Sequence, residues 1–310
     1  MTARTIHRTA WFFRPNVVGY VFIMPWLIGF FAFQVVPMLG SLYLSFTSYK
    51  VVSAPVWTGL ENYSRMFGGD ERFWKSVSVT LFFVIAAVPL RLAFALMVAI
   101  LLDKDTKPAG LYRSLFYLPS LIGGSVVVAV LWKELFGLNG AVNSIIKALG
   151  LGPGISWISD PRTAIWVLIT LNVWQFGSSM LIFVAGLKQI PETYYEAAKI
   201  DGASGLRRFF SITLPLLTPI IFFNLIMMLI SSFMSFTSAY IITSAGPTAT
   251  PGGPLDSTLL YVLYMYLRAF QWFEMGYSSA MAWILLLVVG AVTALIFKSS
   301  ALWVHYEVKE

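Results

Sequence analysis

Six long apolar runs dominate the chain, at about 17–46, 76–102, 111–132, 163–187, 214–243 and 276–298, separated by shorter polar or aromatic segments. A helix rising 1.5 Å per residue needs about 20 apolar residues to cross roughly 30 Å of hydrocarbon, and each run is long enough. Open strands would leave backbone groups unpaired in lipid, so the fold class reads as an all-α membrane protein with about six transmembrane helices. The first run follows Arg4, Arg8 and Arg14 as a secretory signal would. It exceeds a cleaved apolar core of about 7–15 residues, and nothing soluble follows it, so it reads as a retained span.

Composition agrees: 58% of residues are hydrophobic and 11% charged, far from the roughly 25% charged of soluble domains. The net charge of +7 lies in the segments between the runs. That placement orients membrane helices, and without basic patches interleaved with stacking aromatics it argues against nucleic acid as a partner. Twelve Lys and Arg fall in the segments assigned inside, including Arg4, Arg8, Arg14, Lys104, Lys107, Arg113 and Lys309, and eight in those outside, giving an N-in/C-in topology.

The same census excludes several chemistries. Cysteine is absent and the histidines are His7 and His305 alone, so no disulfide, metal site or cofactor is expected. No Gly-Lys pair occurs, so the phosphate cradle of a P-loop is missing and any ATP is hydrolysed elsewhere. The runs hold no Asp, Glu, His or Cys. A membrane-embedded enzyme needs such groups, and an ion-driven carrier places ionisable groups at the midplane. Arg91, after Pro89, is the one charge deep inside a run, since Arg113 and Lys298 stand at the ends of theirs. Burial in lipid costs about 2.5–3.5 kcal/mol on insertion scales, so it must face protein or water. A partner on a neighbouring helix is the preferred reading, contact with substrate or a gate the other.

The outer segments, 47–75, 133–162 and 244–275, carry Trp57, Phe67, Trp74, Trp157, Tyr261, Tyr264 and Tyr266 among Gly and Pro. They read either as interfacial anchors or as a docking surface for an external partner. Without internal repeats, one transmembrane domain over 17–303 is expected, between short tails at 1–16 and 304–310.

Between runs four and five lies a polar segment, about 188–215, with its own helix signals. Pro191 suits a first turn, and Gly202 suits the positive φ that ends a helix, so a helix of about ten residues is expected between them. A second runs from Ser204 toward Thr213, and Pro215 turns the chain into the next run. Small Ala197 and Ala198, flanked by Glu196 and Asp201, suit close approach to another protein; the alternative is an amphipathic connector on the bilayer surface.

Glu196-Ala197-Ala198, then Gly202, Ile212, Leu214 and Pro215, resembles the EAA loop of binding-protein-dependent ABC importer permeases. The resemblance extends through Arg113–Pro119, Trp132-Lys133, Trp174-Gln175, Ala185–Leu187, Ser257-Thr258 and Gly276–Met281, which are similar to the carbohydrate-uptake branch. It implies a type I importer architecture in a bacterial cell membrane and a transport subunit rather than an enzyme. The implied partners are a second homologous permease, a dimer of cytoplasmic ATP-binding cassette ATPases and an extracytoplasmic solute-binding protein. The implied cargo is a sugar or oligosaccharide, or else a polyol or glycerol phosphate. Glu196, Ala197, Ala198, Asp201, Gly202, Ile212, Leu214 and Pro215 would couple to the ATPase. The chain departs from the branch at Phe236–Tyr240, where an acidic residue is frequent, and its Gly-Gly-Pro turn falls at either Ala245-Gly246-Pro247 or Gly252-Gly253-Pro254. Lacking the extra N-terminal helix and external domain of the maltose-type large permease, it resembles the shorter members.

A sugar presents hydroxyl edges and apolar ring faces, so its path needs hydrogen-bonding side chains beside aromatic planes. Run five offers Asn224, Ser231, Ser235 and Ser238 on one helical face, with Tyr240 alongside. Run four offers Asn172 and Gln175, and run six Tyr277 and Trp283. Such residues also bond neighbouring helices or their own backbone.

Overall fold

A computed structural model describes residues 15–103, 109–243 and 251–305. Arg4, His7, Arg8, Arg14, Lys104, Lys107, Lys309 and Ala245-Gly246-Pro247 lie outside the described residues.

The first apolar run forms α1 (Pro15–Phe30), a π-turn (Phe31–Val35) and α2 (Val36–Ser45). The outer segment after it holds a two-stranded antiparallel pair, β1 (Thr47–Ser48) with β2 (Val56–Trp57), and then α3 (Glu61–Gly68). The second run is α4 (Glu71–Leu102). Its 32 residues span about 48 Å. The third run is divided into α5 (Ala109–Ile122) and α6 (Val126–Leu135), bent by 100°. After α7 (Ala141–Ala148), the fourth run is α8 (Ala164–Trp174) and α9 (Gly177–Leu187), bent by 42°.

The polar segment forms α10 (Glu192–Ile200) and α11 (Gly205–Arg208), which continues through a π-turn (Phe209–Thr213) into α12 (Leu214–Leu216). A 65° bend leads to α13 (Thr218–Phe233), and α14 (Thr237–Thr243) completes the fifth run. A short 3-10 turn (Pro254–Asp256), α15 (Tyr261–Tyr266), a π-turn (Leu267–Gln271) and α16 (Met275–Trp303) follow. Three helices are long and apolar enough to cross a membrane alone, and the three bent pairs bring the count to as many as six.

Contacts divide the chain into two compact units. The first comprises Met1–Arg65 and Arg268–Ile284. Within it, Asn62 Nδ2 donates to the carbonyls of Ser45 and Thr47, both at 2.9 Å, and tethers α3 to the end of α2. Glu274 accepts from Arg65 (3.0 Å) and Arg268 (2.7 Å), whose guanidinium groups lie over the ring of buried Tyr277.

The second unit comprises Met66–Leu267 and Leu285–Glu310, and α4 is its axis. Buried positions on α4 recur as Phe73, Ser76, Thr80, Phe83, Val84, Ala87 and Val88, then Ala95, Val98 and Ala99, the three-and-four spacing of one helical face. That face packs on α8, α9 and α13. Leu81, Phe82, Ile85 and Leu101 point away and are exposed, as lipid-facing residues are.

Asp70 anchors the start of α4. Its carboxylate accepts from the Phe73 amide at 3.1 Å, capping the helix, and from the Tyr264 hydroxyl at 2.6 Å. Asp70→Ala removes both bonds. A lost cap costs about 0.5–2 kcal/mol and a lost hydrogen bond about 0.5–1.5 kcal/mol, so the variant is expected to lose about 1–3.5 kcal/mol. Denaturation of the detergent-solubilised chain measures this, and Asp70→Asn, which keeps an acceptor, is expected to lose less than half as much.

Candidate functional site

Three interruptions of the apolar helices meet in the second unit. The first is Gly123-Gly124-Ser125, where α5 stops and the Ser125 hydroxyl accepts from the Val128 amide at 3.3 Å to start α6. The second is Gln175-Phe176, between α8 and α9. The third is Met234–Phe236, between α13 and α14. α14 packs on α6 and α8, and α9 packs on α4 and α5, which draws the breaks together. A break frees backbone groups that must find partners. At the second break the Gln175 carbonyl accepts from Ser120 Oγ at 2.9 Å and from the Arg91 guanidinium. Ser120 Oγ in turn accepts from the Ser178 amide at 3.0 Å, so one hydroxyl bridges the interruption.

These breaks enclose a cavity of about 180 Å³. Asn172, Gln175, Ser231, Ser235 and Ser238 line it, joined by Arg91, Gly123 and Gly124 of the breaks' surroundings and by Phe236 and Thr237. One aromatic side chain, Phe236, lines it, and behind the lining its ring stacks on Tyr240 at 5.6 Å and meets Tyr266 at 4.8 Å. Polar capacity is left over in its walls. The Oδ1 atom of Asn172 and the Nε of Arg91 are buried with no hydrogen-bond partner among the described residues.

Of the residues singled out for substrate, Asn224, Tyr240, Tyr277 and Trp283 are not among the lining residues, and Tyr240 stands behind Phe236, stacked on its ring. Asn224 is buried and donates to the Ile220 carbonyl of its own helix at 3.2 Å. Ser231 lines the cavity, yet its hydroxyl donates to the Met228 carbonyl at 2.9 Å. Tyr277 lies beneath Arg65 and Arg268, and Trp283 is half-buried on α16. Arg91 bonds the Gln175 carbonyl between α8 and α9, a partner on a neighbouring element, and also lines the cavity. The Gly123-Gly124-Ser125 break escaped the reading by hydropathy, although a glycine pair followed by a serine cap signals a helix stop and restart. Ser120 and Thr237 carried no signal of their own.

α9 links this cavity to the polar segment, since it begins at the second break and ends eleven residues later, about 16 Å on, just before α10. α10 starts one residue beyond Pro191, which occupies its N-cap. It ends in a Schellman motif: Gly202 N–H donates to the Lys199 carbonyl at 3.1 Å and Ala203 N–H to the Ala198 carbonyl at 2.9 Å, with Gly202 at φ +72°. Ser204 caps α11 through the Arg207 amide at 3.3 Å.

No residue of α10 is buried. Glu196, Ala197, Asp201 and Gly202 are exposed, Ala198 partly so, and Ile200 stands 87% exposed. Ile212, Leu214 and Pro215 are half-buried where the segment rejoins the bundle. Both ends are fixed: Ile190 packs against a core of Ala95, Ala99, Met180 and Phe183, and Leu217 belongs to that core. The segment is an exposed helix held at two points on α4 and α9.

Interrupted apolar helices around a polar cavity, with an exposed helix hung from the same core, define a membrane transport subunit. Residues 66–304 match the family of binding-protein-dependent transport system inner membrane components, and the chain belongs to it. It is therefore a multi-pass ABC importer permease, a transport subunit and not an enzyme. It is 56% identical to the probable ABC transporter permease protein YesP of Bacillus subtilis (strain 168), over 96% of this chain and 94% of that protein. It is 31% identical to the lactose transport system permease protein LacF of Rhizobium radiobacter, over 91% and 93%. In fold it resembles a bacterial ABC transporter involved in the import of the acidic polysaccharide alginate, with a TM-score of 0.77 at 20% identity, covering 92% of this chain and 96% of that one.

Proposed function

We propose that the chain carries a sugar or oligosaccharide across the membrane, that the cavity at the three breaks contacts the cargo, and that α10 couples it to a separate ATPase. The observation that carries this reading is the continuity of one rigid path. The Gln175 break lines the cavity, α9 runs from it, and the α9 core holds Ile190 and Leu217 on either side of α10. An ATPase gripping Glu196, Ala197, Ala198, Asp201 and Gly202 would displace α9 and α13 together, with Ile212, Leu214 and Pro215 transmitting the movement into α13. Such a displacement changes the spacing of the breaks, so the free energy of ATP binding biases two conformations of the cavity. The named substrate of LacF supports a carbohydrate as cargo, and hydroxyl-rich walls beside the Phe236–Tyr240 stack suit one.

A second, similar permease, two cytoplasmic ATPases and an external solute-binding protein complete the proposed assembly, with 1–16 and 304–310 as tails of a transmembrane domain at 17–303. The chain is reconstituted in proteoliposomes with its co-purifying partners and assayed with labelled oligosaccharides. Accumulation is expected only with ATP and the ATPase present. Accumulation driven by an ion gradient without ATP would overturn the reading.

A further inference from the structure

We propose that the cavity selects a sugar carrying a single negative charge, a uronic acid, and that Arg91 is the residue that recognises it; this rests on the cavity being the cargo site. Arg91 is the one charged residue among those lining the cavity, which otherwise presents hydroxyl, amide and backbone groups beside Phe236 and Ala129. Arg65 and Arg268 pair with Glu274 and Arg72 with Asp256, whereas Arg91 has no carboxylate partner among the described residues. It uses one of its five N–H donors on the Gln175 carbonyl, and its Nε is buried without a partner.

A buried polar group without a partner calls for an explanation, and a cation in the wall of a small cavity is neutralised best by an anion brought into it. The guanidinium fork matches a carboxylate in two parallel hydrogen bonds. Its tie to the Gln175 carbonyl holds the group in place beforehand, which lowers the ordering cost of binding. Asn172 lines the same cavity, and its unpartnered Oδ1 is an acceptor that a sugar hydroxyl can satisfy once the side chain turns toward it; Ser235, Thr237 and Ser238 offer further hydroxyls.

The charge count chooses between acids. One guanidinium balances one negative charge. A phosphate monoester carries about −1.5 to −2 at pH 7 and would leave an excess in a cavity with no second cation, whereas a uronate carries one. The volume of about 180 Å³ is below the roughly 300–1,000 Å³ of pockets that enclose drug-sized ligands, so the cavity takes one sugar unit at a time.

The test measures affinity on the intact, detergent-solubilised transporter without any binding protein, so that the permease alone decides. Saturation-transfer NMR titrates glucuronate, galacturonate, mannuronate and guluronate, each against its methyl ester and the parent neutral hexose, together with glucose 6-phosphate. At least one uronate is expected to bind about tenfold or more tightly than its ester. Arg91→Lys, which keeps the charge but not the fork, is expected to retain a preference above about threefold, and Arg91→Gln to bring the ratio to about one. Equal binding of acids, esters and hexoses to the unaltered protein overturns the acid preference and leaves the sugar-site reading standing. Tightest binding of glucose 6-phosphate overturns the monoanion, and a preference that survives Arg91→Gln overturns the role of Arg91. If no acid, ester or hexose binds, the cargo-site reading fails and this inference with it.

Discussion

Valine in place of Gly202 is expected to leave membrane insertion intact and to cut ATP-driven uptake to below about a tenth. The cause is backbone conformation and not space, because a Cβ at this position would meet nothing within 4 Å. At φ +72° an L-residue is strained, by about 1–2 kcal/mol for an ordinary side chain and more for a β-branched one. Relief requires φ to turn negative, which breaks the two bonds closing the end of α10, from Gly202 to Lys199 and from Ala203 to Ala198. The exposed face of Glu196, Ala197 and Ile200 then loses its direction, and about 1.4 kcal/mol of lost coupling is already tenfold. Asparagine, which tolerates the left-handed region, should retain most uptake, and alanine should fall between. A parallel change, Glu196→Ala, touches an exposed side chain with no hydrogen bond among the described residues, so any loss of uptake reports a partner contact. Uptake in proteoliposomes, normalised to membrane abundance, decides the matter: wild-type rates in both Gly202→Val and Glu196→Ala would remove α10 from the coupling path.

Gly202 could be read from the chain because its cause is local: a glycine two residues past the end of a helix, with acidic and small residues before it. The spans were legible for the same reason, since hydropathy and length are properties of contiguous residues. The cavity was legible only in part. Asn172, Gln175, Ser231, Ser235 and Ser238 were marked out by type and helical register, and all of them line it. Asn224 fits the same register, but its amide is satisfied four residues back along its own helix, a common fate of polar groups in membrane helices.

The helix breaks were mostly hidden. Met234–Phe236 contains neither Pro nor Gly, and the Gln175 break is stabilised by Arg91 and Ser120, which lie 84 and 55 residues away in the chain. No local pattern encodes a carbonyl that becomes tolerable only once distant donors arrive. The outer segments hid their structure differently: α3, α7 and α15 are short helices of six to eight residues, below the length at which periodicity is informative.

Gly177→Val is expected to damage the fold itself, lowering stability by about 3 kcal/mol or more. Gly177 opens α9, and a Cβ there would overlap the Phe116 carbonyl oxygen while standing 2.7 Å from the Tyr117 Cα and 3.0 Å from Ser120 Oγ. Two of these obstacles are backbone atoms of α5, so no rotamer change relieves the clash and α5 must move off α9. That movement separates Ser120 from the Gln175 carbonyl and the Ser178 amide, and undoes the bridge across the second break. Overpacking costs about 1–3 kcal/mol when neighbours can adjust, so alanine should fall within that range and valine at or above its top. At roughly 2–4 °C per kcal/mol, the figure for chains somewhat shorter than this one, thermal unfolding in detergent should fall by up to about 6–12 °C for valine. Gly290→Ala on α16 is the control, because a Cβ there meets nothing within 4 Å and alanine favours the helix. A Gly177→Val protein that unfolds with the wild type would mean that α5 and α9 do not pack backbone to backbone, and the cavity would lose the contact that holds its second break beside its first.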